Sequence, residues 1–231
     1  MKKIILFGAM TLLVAASRQS AGAADSSPKD DITNAAKKLG DKPNYSWRMT
    51  VVVPDDAQFK PGPTEGKTEK NGFTHITMSF GDNTTQAVLK GDKAAVTNQD
   101  GEWQSVADLE SGEGRGRFLG RMVRNIKTPA AQAAELAAAV KDLKKDGDVY
   151  SGDLTPEGAK AQFRIAAATD AKGSVKFWLK DGALSKYEFK LKGTVEFNGN
   201  EVDVDRTTTV EIKDVGTTKV NVPEAATKKL S

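Results

Sequence analysis

The chain has 231 residues, with 34 lysines and arginines against 31 aspartates and glutamates, one histidine and no cysteine. The lack of cysteine excludes a disulfide framework, a thiol nucleophile and a lipid-attachment cysteine. The formal charge of +3 rests on Lys2, Lys3 and Arg18; without the first 23 residues, 31 basic residues face 31 acidic ones, which removes the net positive surface that nucleic-acid binding needs.

Lys2 and Lys3 precede an apolar run at residues 4–16 and a small-residue stretch ending Ala21-Gly22-Ala23. A basic start, an apolar core too short to span a bilayer and an Ala-x-Ala site predict a secretory signal peptide, residues 1–23, cleaved after Ala23. The expected location is the periplasm, or outside the cell. The mature 208 residues are long enough to bury one core without disulfides, so residues 24–231 are expected to form a single domain.

Residues 24–31 are polar. Asp30 or Asp31 can cap a helix through Leu39, with Ile32, Ala35, Ala36 and Leu39 at helical spacing and Gly40 as its stop. Tyr45, Trp47, Met49, Val51 and Val53 alternate with polar residues, which predicts a strand with a bulky apolar face. Residues 54–66 hold three prolines and two glycines and read as an irregular loop. Short strands follow at 67–70, 72–80 (Ile76, Met78 and Phe80 inward), 84–90, 93–98 and 102–106, separated by Asn-Gly, Gly-Asp and Asp-Gly pairs. That is an antiparallel meander.

The period then changes. Gly112, Gly114 and Gly116 lead to Phe118, Leu119, Met122, Val123 and Ile126 at helical spacing, with Arg117, Arg121 and Arg124 opposite. Thr128-Pro129 opens a second helix, expected over residues 130–145 and ended by Gly147. These helices form an insertion at about 116–146. A strand at 148–154, a helical turn at 158–163 and a strand at 165–168 lead to the final meander from residue 174. There Tyr187, Phe189, Leu191 and Val195, then Val202, Val204, Thr208, Val210 and Ile212, alternate with charged residues, and Asp181-Gly182 and Asn198-Gly199 supply type I′ turns. Such a long apolar face must be covered by protein or by a ligand.

Chemistry is poorly supplied. The one histidine, His75, falls on the polar side of its strand beside Thr77 and Ser79, so a Ser-His-Asp site is disfavoured and no zinc ligand set is present. Gly112-x-Gly114-x-Gly116 precedes a helix but lacks the βαβ context of a dinucleotide site, and reads as a hinge. Glu201, Asp203, Asp205 and Glu211 alternate strictly opposite Lys186, Lys190 and Lys192, as cross-strand charge pairs do. Neither cofactor nor metal is expected. The basic side of the first central helix reads as a solvated face, or as a contact for anionic lipid or an acidic partner through Arg117, Arg121 and Arg124.

The order of elements, with Phe177-Trp-Leu-Lys-Asp-Gly-Ala-Leu184 and the ending Val210-Glu-Ile-Lys-Asp-Val-Gly216-Thr-Thr-Lys-Val220-Asn-Val-Pro223, resembles the LolA-like superfamily of exported lipoprotein and lipid carriers, including the LppX/LprG-type lipoproteins. The resemblance covers most of residues 30–231. The Phe-x-Gln start of the lipoprotein carrier proper and the anchoring cysteine of the LppX-type members are missing, and Arg48 is a weak match to the strand arginine that closes the carrier's lid. It implies an α+β fold: a strongly curved antiparallel sheet, an unclosed β-barrel of about ten or eleven strands, with helices on its concave face. It implies binding of acyl chains or lipidated proteins between sheet and helices. With no catalytic constellation, no catalysis is expected, and the glycine hinge with the helices from Phe118 to Leu143 is expected to act as a lid, since ligand entry requires the apolar seam to open. The residues expected to line that site are Trp47, Met49, Val51, Ile76, Met78, Phe80, Phe118, Met122, Phe177, Leu179, Tyr187 and Phe189. The alternative is a periplasmic interaction module whose interior is filled by its own side chains.

Overall fold

The computed structural model describes residues 26–57, 60–163, 168–197 and 199–230. The expected leader lies outside these residues, as does the strand expected at 165–168 save for Ala168.

The first helix, α1 (Pro28–Gly40), starts one turn earlier than expected. Ser27 is its N-cap and accepts from the Asp30 N–H, while Asp30 reaches back to the Ser27 N–H, a reciprocal pair that satisfies two otherwise orphaned donors. Pro28, which has no N–H to lose, takes the first position. Then come β1 (Asn44–Val52), β2 (Thr64–Glu69), β3 (Thr74–Phe80), β4 (Asn83–Lys90), β5 (Lys93–Thr97) and β6 (Trp103–Ser105). The central helices are α2 (Val106–Ser111), α3 (Gly114–Arg124) and α4 (Pro129–Ala139). The chain continues through β7 (Lys144–Asp146), β8 (Val149–Asp153), α5 (Pro156–Ala161), β9 (Ala168–Lys180), β10 (Ala183–Phe197), β11 (Asn200–Lys213) and α6 (Glu224–Lys228).

All eleven strands join one antiparallel sheet in the order β6-β5-β4-β3-β2-β1-β11-β10-β9-β8-β7. The two meanders therefore meet along β1 and β11, where Trp47 opposes Ile212 and Met49 opposes Val210. The edge strands β6 and β7 do not pair with each other, so the barrel is unclosed. Right-handed twist accumulates over so many strands and curls the sheet. Register shifts between β9 and β10, at Leu184/Lys186 and Lys192/Thr194, add local bend. Asp181 and Gly182 both have positive φ, 52° and 71°, as the type I′ turn between β9 and β10 requires.

The helices α1, α4 and α5 contribute to one apolar core with the inner face of this sheet. Alanine dominates the contact between α1 and α4: Ala35, Ala36, Ala130, Ala133 and Ala137 are all buried. Small side chains let the two helices lie close and antiparallel, and Lys29 of α1 donates to the Ala138 carbonyl at the far end of α4. On the other face of the sheet, α6 buries Ala226 and Leu230 over Val88 and Ala95, a second small core.

Two expected elements are corrected. The helix after Thr128 stops at Ala139 rather than running to residue 145: Val140 bridges to Leu154, Lys141 N–H bonds the Asp153 carbonyl, and residues 144–146 become an edge strand. The region read as irregular through Gly66 is already β2 from Thr64. Gly66 is obligatory there because the Trp47 indole lies across it; a Cβ would fall 2.1 Å from that ring. Replacing Gly66 by alanine is expected to displace the Trp47 ring and cost about 1–3 kcal/mol, as overpacking does, read as a lower urea midpoint with an unchanged m-value.

Candidate functional site

The inner face of the sheet is built by strict alternation. On β1, Tyr45 and Trp47 are buried and Met49 packs partly buried against the core. Val51, next in the same series, opposes Thr208. Ile76 and Met78 of β3 are buried, as are Phe177 and Leu179 of β9 and Tyr187 and Phe189 of β10. Phe177, Tyr187 and Phe189 follow one another with ring centroids 6.3 and 6.5 Å apart. The inner face thus carries ten of the twelve expected site residues on the sheet or in the core: Trp47, Met49, Val51, Ile76, Met78, Phe177, Leu179, Tyr187 and Phe189, with Met122 of α3 packed against them. Phe118 does not join them; it lies on the solvent side of α3 with 44% of its surface exposed. The Phe80 side chain lies outside the described ones.

The chain's three tyrosines, from three different strands, all reach from the sheet to the helices. Tyr45 accepts from the Ala130 N–H in the first turn of α4 at 3.4 Å. Tyr187 donates to Gln132 Oε1 of α4 at 2.8 Å, and Tyr150 donates to the Asp31 carboxylate of α1 at 2.8 Å. Burial pushes the Tyr45 and Tyr150 phenols above their ordinary range. Hydrogen bonds from Ser26 and Tyr150, with Lys145 close by, hold Asp31 below the usual carboxylate range. These hydroxyls are the polar points of a contact otherwise made by hydrocarbon, and they fix α1 and α4 in position and angle.

The pair α2 and α3 is tied differently. Val106 and Val123 are buried, but Leu109, Leu119, Met122 and Ile126 are only partly so, as are Met49 and Leu89 on the sheet beneath the same core. Thr64 of β2 stands between Met49 and Met78 in one cross-strand row, so the two thioethers are rooted about 10 Å apart, two strand spacings, over a small residue. Gly112 ends α2 and Gly114, with φ of 65°, begins α3. Arg124 clasps Glu110 of α2 with bonds of 2.7 and 2.8 Å and donates to the Asp92 carbonyl at the β4–β5 turn. The Glu110 carboxyl is thereby held low. Arg124 is therefore committed within the molecule, which corrects its expected place in a partner-binding basic face; Arg117 and Arg121 are exposed.

Two open grooves of about 420 and 500 Å³ lie away from the helices. The first is lined by polar side chains of the outer face, Arg48, Glu65, Lys67, His75, Thr77 and Lys213 among them. The second flanks β8 and β9 near Lys141, Asp142 and Lys176. Arg48 thus points outward and pairs with Glu65. His75 is held by the Asn221 carbonyl and Gln86. Among the described residues no cluster of three or more His, Cys, Asp or Glu side chains could hold a metal, and no helix is long and apolar enough to cross a membrane. The expected cross-strand pairs are present at Asp205, which accepts from Lys192 at 2.7 Å and lies 3.6 Å from Lys190.

The alternation missed one residue. Arg206 lies in the same even-numbered series as Val204 and Thr208 and opposes the wholly buried Leu191, so this cation is on the inner, apolar face.

These features define an open α+β barrel with a helix pair clamped on its inner face and a second helix pair over a partly open apolar seam. No family model matches this sequence, and no curated protein matches it. Among solved structures, it is similar to the Mycobacterium tuberculosis lipoprotein LppX, at 11% identity over 85% of this chain and 98% of that one, with a TM-score of 0.48. It is similar also to LprF from Mycobacterium bovis, at 11% identity over 86% of this chain and 97% of that one, with a TM-score of 0.48. Both are likenesses of fold alone.

The Asp31 linkage gives a pH test. A carboxylate whose folded pKa is depressed stabilises the fold above its unfolded pKa and loses that contribution as pH falls through the folded value. Asp31→Asn is expected to melt below the native chain at about pH 7 and to converge with it below about pH 4; thermal melts across that range check it, and a gap that persists in acid rejects the carboxylate as the cause.

Proposed function

We propose that the protein is an exported carrier that holds a hydrophobic ligand, a lipid or the acyl chains of a lipoprotein, between the inner face of the sheet and the helices α2 and α3, without catalysis. The observation that carries this reading is the seam of partly buried apolar side chains, Met49, Leu89, Leu109, Leu119, Met122 and Ile126, beneath a helix pair entered through glycine. Methionine suits such a place because its unbranched, polarisable chain adapts to varied acyl shapes. The sequence resemblance to the LolA-like carriers supports the same ligand class. The Lys2-Lys3 start, apolar run and Ala-x-Ala stretch support the periplasm as its location.

From the sequence, the helices over residues 118–143 are expected to act as the lid; that α4 is held by Tyr45, Tyr187 and Lys29 supports a shorter one. The lid of this proposal is α2 with α3 alone, hinged at residues 112–114 and latched by Arg124. Outward-facing Phe118, Arg117 and Arg121 on α3 would be the part presented to an anionic membrane surface or an acidic partner.

A second reading, an interaction module with a filled interior, is favoured by the complete burial of Phe177, Tyr187, Leu136 and Leu191 and by the position of both grooves away from the helices. Solvent extraction of the purified chain followed by mass spectrometry separates the two. Co-purified lipid, and fluorescence enhancement of cis-parinaric acid by the delipidated protein, are expected of the carrier; a chain that yields no lipid and binds no probe leaves the filled module.

The latch gives a further prediction. Arg124→Ala removes a half-exposed ion pair and one bond to the β4–β5 turn, interactions worth up to about 1 kcal/mol. Stopped-flow uptake of the probe is expected to accelerate roughly two- to fivefold, with faster amide exchange across residues 114–124 and unchanged exchange in α4. Equal acceleration of exchange in both helices would mean the whole helical layer moves.

A further inference from the structure

The β10–β11 hairpin is longer than the strands beside it. β11 runs from Asn200 to Lys213, but its neighbour β1 ends at Val52, opposite Thr207. Beyond that point Pro54, which has no N–H, and a turn closed by the Ala57 N–H on the Pro54 carbonyl end the ladder. Residues 201–205 therefore pair with β10 on one side, and among the described residues no strand pairs with them on the other.

A strand edge with free N–H and C=O groups is a template for another strand, and such edges are ordinarily guarded by shortness, proline or a bulge. This one has none of these guards. Its residues span about 17 Å, and none of them is proline or glycine. The β10–β11 register runs unbroken from Lys186/Glu211 to Phe197/Asn200, whereas β9 and β10 shift twice. Alternate residues of such a stretch turn both their N–H and their C=O to the open side.

The side chains give the edge a sign and a period. Glu201, Asp203 and Asp205 stand on the outer face; Val204 packs partly buried against the inner core, and Val202, 43% exposed, follows it on that face. Lys190 and Lys192 take up Asp205, while Asp203 accepts from the neutral Thr194 hydroxyl. Glu201 lies opposite Glu196 across the hairpin. Like charges so placed destabilise a sheet, and a cation on a further strand would relieve them.

The same period rejects a second copy. Two such edges paired antiparallel about Asp203 would set Asp203 against Asp203 and Glu201 against Asp205. Any register that keeps the valines on one face repeats the clash, since every odd-numbered residue of 201–205 is acidic. The complement of this edge is a strand of the opposite sign with the same alternation.

We infer that residues 201–205 of β11 dock an extended segment of a partner protein, added to the sheet as a strand, with lysine or arginine beside Glu201 and Asp203 and apolar side chains beside Val202 and Val204. Main-chain bonds to the open edge hold the segment, and its alternating cations select it. The site uses none of the side chains of the proposed ligand seam, so it stands whether or not that seam takes a lipid.

The test titrates a fluorescein-labelled nine-residue peptide of alternating lysine and valine into the purified chain, read by anisotropy. Two control peptides have the same composition: one with its lysines and valines in separate blocks, one alternating but N-methylated at every backbone amide. The alternating peptide is expected to bind about tenfold or more tighter than either control, and to slow amide exchange at residues 201–205. Glu201→Lys with Asp203→Lys, both at exposed positions, is expected to weaken it about tenfold or more with the melting temperature kept. Equal binding of the block peptide would assign the attraction to unpatterned charge and overturn the docking strand. No binding of the alternating peptide up to about 1 mM, no protection at 201–205, or an affinity untouched by the double substitution overturns it as well. A dimer of the native chain that protects the same amides would give the edge to a second copy and overturn the basic partner.

Discussion

The structure depends on how a curled sheet keeps its apolar side out of water. Eleven strands with one greasy face cannot be stable open to solvent, and the chain's answer is a layer of helices docked by hydrocarbon and aligned by three phenols. Tyrosine is suited to this because it adds a large apolar ring to the core and still delivers a hydroxyl, donor or acceptor, at the far side of it. The three hydroxyls end on different kinds of partner, an α4 backbone N–H, a glutamine oxygen of α4 and an α1 carboxylate. Each fixes the helix layer at a separate place, so α1 and α4 can neither slide nor rotate without leaving a polar group unpaired.

The same accounting divides the helices into two sets. Between α1 and α4 the contact is alanine on alanine, which packs closely but brings little adaptable volume. Under α2 and α3 the side chains are long, and several remain partly open to solvent. Among the described residues, the ties of this second pair include one ion pair within it, one bond from Arg124 to a turn, the buried Val106 and Val123, and partly buried side chains packed against the core. If one part of the layer yields to admit a ligand, the energetics favour this pair, since opening α4 would break the tyrosine bonds as well as the core. The boundary between the two sets is the Thr128-Pro129 cap, where the clamped helix begins.

Much of this was legible in the sequence, and the failures have identifiable causes. Period-two alternation and Asp-Gly and Asn-Gly turns suffice for the strands of both meanders, and period-3.6 spacing with caps for α1, α3 and the start of α4. The end of α4 was not legible because residues 140–146 keep good helix-formers; what stops the helix is a tertiary contact, Val140 bridged to Leu154 with the Gly152 backbone close against Asp142. The start of β2 was hidden behind prolines, and Gly66 looked like a loop residue although it is a strand position vacated for the Trp47 ring. The early start of α1 was hidden in a polar stretch. Of the residues expected to line the site, Phe118 misled because its spacing in the helix fits either flank of the apolar stripe. Arg206 was visible as the one charged residue in the even-numbered run from Val202 to Ile212, and an alternation read only for its hydrophobic members passes over it.

The outer core gives the inner one something to work against. Strands β4 and β5 are apolar on both faces, Ala87 and Val96 inward, Val88 and Ala95 outward beneath Ala226 of α6 and Leu230 just beyond it. An edge of sheet covered on one side only would bend when a helix pair lifted from its other side. Here the strands on which α2 and α3 rest are backed by the C-terminal helix, and the segment leading to it is pinned where His75 meets the Asn221 carbonyl. The C-terminal residues thus back the strands on which α2 and α3 rest, from the opposite face of the sheet.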